Sequence, residues 1–572
     1  MVYQVNHGGE EMMKKQPKWI NLTLVLAVLI ALNLAGQFFY HRFDFTADKR
    51  FSLSDKTKTI LQRNDKPIII TVFLDGQLPP AFKRLQAAVK DLLADYRAYS
   101  KAEIKVVFVD PIAGLNQADQ DTVINNLYQQ GIEATNISVK TESGLTQKLV
   151  FPMAMMESGG KQLPIKLFQN LEAGAGYEDN FNRSIENLEY TFTSSLKKII
   201  SGENPRIGFT ESNGELSDLQ LYDARFILSS SYEVGRVDLN TIEKDGLDKI
   251  KLLIIAKPKK PFTETEKYKI NYFVMNGGRV VWTIDQVHAE LDSLKGRNGQ
   301  MVSNNNLNLD DMLFMYGARI NYNVIADRNC VDIPVSTGRV AGQSQMQLVP
   351  WLYYPILLPD TVHSVVKKLD DIKSEFPSTV DTIGVKNVKK SYILTTSAFN
   401  KVFNVPKLFT LQMVAEEPDP KTFQNPPQNV GLMLEGSFPS VFQGRPLPAG
   451  IKEPFTLASS SKPTKMIVIG DGDLFKNQIA EKDGSPFPLG FDRFTQRTYG
   501  NKALLLNIVD YFTDEDNLID LRNKEVKIRL LDKAKLKIEK TKWQFVNIVA
   551  PMLLLIFFAI FQHYYRKYKY AK

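Results

Sequence analysis

The sequence predicts an α/β protein: a large soluble region bracketed by N- and C-terminal transmembrane helices. Three patterns predict it. Continuous apolar runs of strand length alternate with helical stretches, which marks an open, mostly parallel sheet. Two apolar runs, Trp19–Tyr40 and Phe545–Phe561, have about the length a helix needs to cross a bilayer. Between them, residues 301–464 break the alternation, with nine prolines from Pro418 to Pro463. That composition disfavours helix and central strand and predicts an inserted β-rich lobe with long loops.

The first run follows Lys14, Lys15 and Lys18 but has no small-residue cleavage site before Tyr40, so it reads as an uncleaved anchor. Asn33 and Gln37 share one of its faces, as in a helix that seeks a partner. After Pro67, residues 68–73 read as a buried strand, 82–99 as a helix, and 104–109 as a second strand. This β-α-β unit requires a right-handed crossover. A helix over 120–131 and a hairpin of strands near 137–139 and 148–155 complete a thioredoxin-like module without cysteines, spanning 41–200. Residues 185–200 form its last helix.

A second α/β domain is expected over 201–300 and 465–520. Its strands are 206–209, 233–238, 252–256, 279–284 and 465–469, with helices at 221–229 and 263–275. Thr263 and Glu266 have capping-box spacing, and Asn276-Gly277-Gly278 stops that helix. A short helix over 309–316 ends at Gly317, and 336–347 is polar and Gly-rich, which predicts a mobile loop. Helix 504–512 leads to a basic amphipathic helix over 521–543 and a span over 544–562. Tails at 1–18 and 563–572 flank the two spans.

The net charge of +8 is unevenly placed. Residues 524–572 hold twelve Lys/Arg against three acids, so the rest of the chain sums to −1. A basic body surface for nucleic acid is thereby disfavoured, and the basic tail suits anionic lipid headgroups. Basic residues flank both spans on both sides, so charge does not set orientation. Cys330 is the single cysteine, which excludes an intrachain disulfide.

The chemistry is mostly absent. Of five histidines, only His288 and His363 lie in the body, without metal spacing, and no CxxC, HExxH or GxSxG occurs. No phosphate-binding GxxxxGK[ST] loop occurs, and Gly159-Gly160-Lys161 reads as a hairpin turn. No catalytic residue, metal or cofactor is assigned. The candidate ligand-binding residues are Asp471 and Asp473, which follow a buried strand as Gly470-Asp471-Gly472-Asp473, together with Asp285 after strand 279–284. Ligands sit beyond the carboxyl ends of strands in open α/β sheets, and such acids hold a hard cation or a ligand hydroxyl. The plainer reading is a strand-to-helix turn whose acids cap the next helix. Asp75-Gly76 reads as a turn.

Several segments together resemble the gliding-motility ABC-transporter auxiliary proteins of the GldG type. They are Phe43–Ser54, containing Arg50, Phe51, Ser52, Leu53 and Ser54; Arg206–Glu215; Lys257–Asp285; and Ile469–Asp473. Pro488–Arg493, then Tyr499, Gly500, Asn501 and Lys502, and finally Leu521–Glu525 complete the set. The resemblance covers nearly the whole chain. It implies a non-ATPase subunit that pairs with a separate ABC permease and ABC ATPase. It further implies a bacterial inner-membrane protein with two spans, a periplasmic body and cytoplasmic tails at 1–18 and 563–572, and it leaves a homo-oligomer within the complex open. The family is sometimes labelled substrate-binding, yet no ligand residue carries over. The central part also looks like the α/β domain of an intraflagellar-transport subunit used for protein assembly.

Three functions remain in play. The first is an auxiliary subunit acting by protein–protein contact, and the second a solute-binding domain that delivers a small ligand to the permease. The third is a membrane-bound hydrolase using the loop 471–473, for which the sequence offers no nucleophile and base pair.

Overall fold

The architecture is that of a computed structural model, which describes residues 25–30, 52–141, 144–168, 177–201, 205–294, 299–340, 343–367, 369–415, 419–451, 458–514, 516, 518–523 and 533–571. Most of Trp19–Tyr40, together with Arg50 and Phe51, lies outside the described residues; residues 25–30 are helical.

The polypeptide enters its folded body at Ser54, whose hydroxyl caps helix α1 (Asp55–Arg63) by accepting from the Thr57 amide at 3.1 Å. Strand β1 (Ile68–Val72) passes through helix α2 (Pro80–Tyr99) to the parallel strand β2 (Ile104–Phe108), as the apolar spacing predicts. Helix α3 (Gln117–Gln129) follows. The expected hairpin is split at Phe151-Pro152. Strands β3 (Thr135–Thr141) and β4 (Gly144–Val150) form their own ribbon. Strands β5 (Met153–Ser158) and β6 (Lys161–Lys166) extend the sheet in the order β2-β1-β5-β6. Gly159 and Gly160, both at positive φ (56° and 79°), make the tight turn between β5 and β6.

Helix 185–200 is in fact two helices, α4 (Tyr177–Glu186) and α5 (Leu188–Ser201). Helix α5 joins everything around it. The Ser54 amide donates to Glu189 at 2.7 Å, Thr57 and Thr193 hydroxyls lie 3.0 Å apart, and Lys197 pairs with Asp514 and Asp516. Leu53, Leu196, Leu518 and Leu521 lie in one continuous core. Both ends of the body therefore pack on one helix.

The central sheet begins with β7 (Arg206–Thr210), β8 (Glu233–Val237), β9 (Ile250–Ala256) and β10 (Arg279–Thr283). Helices α6 (Tyr222–Ser229) and α7 (Glu264–Met275) connect within this run, and α8 (Asp310–Tyr316) follows it. Three antiparallel members come next: β11 (Cys330–Val340), β12 (Gln343–Pro359) and β13 (Val388–Thr395). Then β14 (Asn429–Gly436) and β15 (Thr464–Ile469) complete the order β11-β12-β13-β14-β15-β10-β9-β7-β8. The five parallel strands β7, β8, β9, β10 and β15 lie in the order 2-1-3-4-5 by sequence, the order of flavodoxin-like sheets.

Alternation sorts their side chains. Leu252, Ile254, Val281 and Ile467 face α6 and helix α9 (Asn501–Thr513), while Leu253, Ile255, Trp282 and Val468 face α7 and α8. The predicted capping box forms: Glu266 accepts from the Thr263 amide at 2.7 Å, and Thr263 accepts from the Glu266 amide at 3.3 Å. Thr263→Ala is expected to cost about 1 kcal/mol, read as a fall in melting temperature.

Three readings of the excursion need correction. Residues 336–340 and 343–347 are not a loop but the outer part of the β11–β12 ribbon, with Val335 opposite Gln347 and Arg339 opposite Ser344. A ladder is held by main-chain hydrogen bonds, so polar and glycine residues at an arm give no apolar signal. Strand β14 is fully central between β13 and β15 although prolines surround it, because those prolines stop at Pro427 and resume at Pro439. Thus β12, β13 and β14 continue the main sheet, and the insertion is not wholly a lobe of its own. It also carries small ribbons, such as residues 323–327 paired with 400–404.

Residues 525–572 form a separate C-terminal unit. Its helix α10 (Lys533–Tyr570) takes in the latter part of the expected basic helix and the whole expected span, and stays helical beyond Phe561, while residues 524–532 of the expected basic helix lie outside the described residues. Residues 539–570 are long and apolar enough to cross a membrane. Trp543, Phe545, Leu554 and Phe557 are all exposed along it, the pattern of a helix solvated by lipid. Pro551 sits inside; bilayer helices tolerate it.

Candidate functional site

Three adjacent parallel strands end side by side, and a charge follows each. Lys257 follows β9, Asp285 comes two residues after β10, and Asp471 and Asp473 follow β15. Main-chain bonds from the Lys257 amide to Thr283 and from the Ile284 amide to Ile469 keep the ends level. The structure thus brings Asp285, Asp471 and Asp473 together, with one oxygen of each within 4.8 Å of the others.

A lysine stands among them. The Lys257 ammonium lies 2.5 Å from Asp473, 3.2 Å from Asp285 and 2.9 Å from Glu290. It is buried, on a backbone at φ +54°, a conformation L-residues hold only at a cost. A hard cation on these three acids would have to displace that ammonium. Beside it, Lys476 pairs with Asp473 at 2.8 Å, while Lys373 pairs with Asp492 at 2.9 Å and Glu375 at 3.2 Å. Asp471 accepts the amides of Glu375 (2.9 Å) and Asp473 (2.7 Å), and Asp285 accepts that of Gly472 at 2.5 Å. The glycine is needed, since a Cβ there would meet Lys257 Cγ at 2.7 Å and Asp285 Oδ1 at 2.9 Å.

The four groups titrate apart. Burial pushes the Lys257 ammonium toward neutrality, but Asp473, Asp285 and Glu290 outweigh it and hold its pKa well above the usual lysine value. Burial raises Asp473, yet Lys257 and Lys476 prevail and hold it below the ordinary carboxylate range. Burial carries Asp285 up to about 6 against the pull of Lys257. Burial, aided by Asp285 and Asp473, pushes Asp471 well above its usual value.

The turn after β15 does not cap a helix, as sequence suggested; the next helix is α9, at Asn501. Its acids serve the network instead. Asn501 braces it from behind, donating to the carbonyls of Lys373 (2.9 Å) and Leu474 (3.1 Å) and accepting the Lys373 amide at 3.1 Å. Tyr499 and Gly500 lead into α9, with the Tyr499 amide on the Gly490 carbonyl and the Gly500 amide on that of Asp371. Lys502 lies 3.7 Å from Asp223. Leu53 and Ser54 lie away from this network, at α5. Sequence reasoning missed Lys257, Lys373 and Lys476, since a lysine after an apolar strand carries no signal of what it will face.

Above the network lies a cavity of about 670 Å³, lined among others by His288, Glu290, Tyr354, Asp492 and Arg493. Tyr354 is buried, with the Lys373 ammonium 5.6 Å from the centre of its ring. The usual crevice of such sheets, between β7 and β9, is closed by the chain itself: the Leu216 amide bonds the Ala256 carbonyl at 3.1 Å.

These features define a membrane-associated α/β protein whose strand-end edge is locked by its own ion pairs. The chain belongs to the family described as an ABC-type uncharacterized transport system, which matches residues 204–508. This makes it an ABC-transporter auxiliary protein. A domain of unknown function matches residues 47–157. An uncharacterized protein of Borreliella burgdorferi is 22% identical over 566 residues, covering 96% of this chain and 98% of its own. Among solved structures, the mmIFT52 N-terminal domain aligns at 14% identity over 54% of this chain and 98% of that one, with a TM-score of 0.31.

Proposed function

We propose that this chain is the non-ATPase, membrane-anchored auxiliary subunit of an ABC transporter linked to bacterial gliding motility. In this reading it is held in the inner membrane with its body in the periplasm, and works by contact with a separate permease and ATPase. The family match over 204–508 carries the reading. The absence of a phosphate-binding loop from the sequence supports the division of labour. Every acid of the 471–473 loop is engaged by the chain's own groups, which favours a contact role over hydrolysis. The test is affinity purification of the full chain from its native membranes in mild detergent. The expected result is co-elution of a polytopic permease and an ATPase in fixed ratio. A chain that elutes alone refutes the proposal.

A second reading, solute capture, is favoured by the 670 Å³ cavity, which Tyr354 lines. Native mass spectrometry of the purified chain would then show a small molecule retained by the wild type and lost in Tyr354→Phe.

A further inference from the structure

The two edges of the parallel sheet differ in charge. The strand-end cavity is lined by five basic groups and six carboxylates, with Asp473 beneath them. At the strand-start edge two cavities of about 830 and 440 Å³ adjoin, sharing Asp248 and Lys251. Together they are lined by eight basic groups against four carboxylates.

Some of these cations are committed. Lys197 pairs with Asp514, Lys198 with Asp510 and Arg206 with Glu233. Four others, Lys244, Lys249, Lys251 and Lys462, are exposed and form no ion pair with a described residue. The excess stands out because residues 1–523 sum to −1.

This edge is also where the chain leaves the body. The larger cavity is lined by Lys197 and Lys198 of α5 and by Leu518, three residues before Leu521. Ser54 sits on the same helix. From Asn523 the sequence runs on to the membrane-length helix that contains residues 539–570.

We infer that the strand-start edge is a lipid-facing surface, on which Lys244, Lys249, Lys251 and Lys462 bind the headgroups of anionic phospholipid. A lysine near an anionic membrane surface contributes a factor of about five in binding. Charge complementarity and the chain's exit at this edge select lipid over a soluble anion. The inference goes beyond the subunit reading, because it requires no permease or ATPase.

The test uses the full chain in nanodiscs of phosphatidylcholine, with and without phosphatidylglycerol, read by hydrogen exchange. Amides of 244–251 and 277–279 are expected to exchange at least about fivefold more slowly with the anionic lipid, and the difference is expected to shrink in high salt. The triple variant Lys249→Glu/Lys251→Glu/Lys462→Glu is expected to abolish it at unchanged melting temperature. Lys259→Glu, at the opposite edge, leaves it intact. Equal exchange in both lipids, or an equal loss in Lys259→Glu, overturns the inference. So does protection by inorganic phosphate alone in phosphatidylcholine. Because the discs hold no other protein, failure here and failure of co-purification are distinguishable.

Discussion

Lys257→Met is expected to destabilise the body by about 3–5 kcal/mol, the scale on which removing one partner of a buried ion pair acts. The ammonium is the shared counter-charge of Asp473, Asp285 and Glu290, and of these the buried Asp473 and Asp285 cannot reach water in its place without opening the edge. Thermal and urea unfolding of the purified chain would read the loss. Two companion variants separate its causes. Lys257→Gly removes the same charge but relieves the φ +54° backbone, and is expected to be about 1 kcal/mol less damaging than Lys257→Ala. Adding Asp473→Asn to Lys257→Met is expected to recover part of the loss, since one uncompensated charge goes with it. If Lys257→Met unfolds like the wild type, the network contributes nothing to stability.

The second large effect is a pH dependence. The carboxyl of Asp285 titrates at about 6 in the folded chain, against about 3.9 in an unfolded one. A raised carboxyl pKa favours folding while the group is protonated, and that contribution is lost as pH rises from about 4 through 6. At pH 7 the ionised Asp285 therefore lowers the stability of the fold. Asp285→Asn keeps an oxygen for the Gly472 amide and removes the titration. Its stability relative to wild type is expected to climb between pH 4 and 7 and then level off. Asp473 runs the other way: its lowered pKa contributes stability present above about pH 4 and lost on acidification. A flat difference between Asp285→Asn and wild type across that range would show that Asp285 stays ionised throughout.

What could be read from the sequence divides along physical lines. The parallel strands, the α7 capping box and the acidic turn after β15 depend on local signals: apolar runs, a Thr–Glu spacing, two acids around a glycine. Lys257 was invisible because its partners arrive through strand register, from residues 28 and 216 positions away. The β11–β12 arm was hidden because its ladder lives in the main chain. Strand β14 was masked by prolines that flank it without entering it. Asn501, though flagged by resemblance, shows its bracing role only once Lys373 and Leu474 stand beside it.

The seating of Ser54 and Leu518 on the single helix α5 has a mechanical consequence. Tension applied between the two ends of the body runs across α5 and its neighbours α1 and the 518–523 turn, without crossing the central sheet. The ion-locked strand-end edge is thereby shielded from strain along the chain. Whatever docks at that edge meets a rigid surface even while the two ends are being pulled apart.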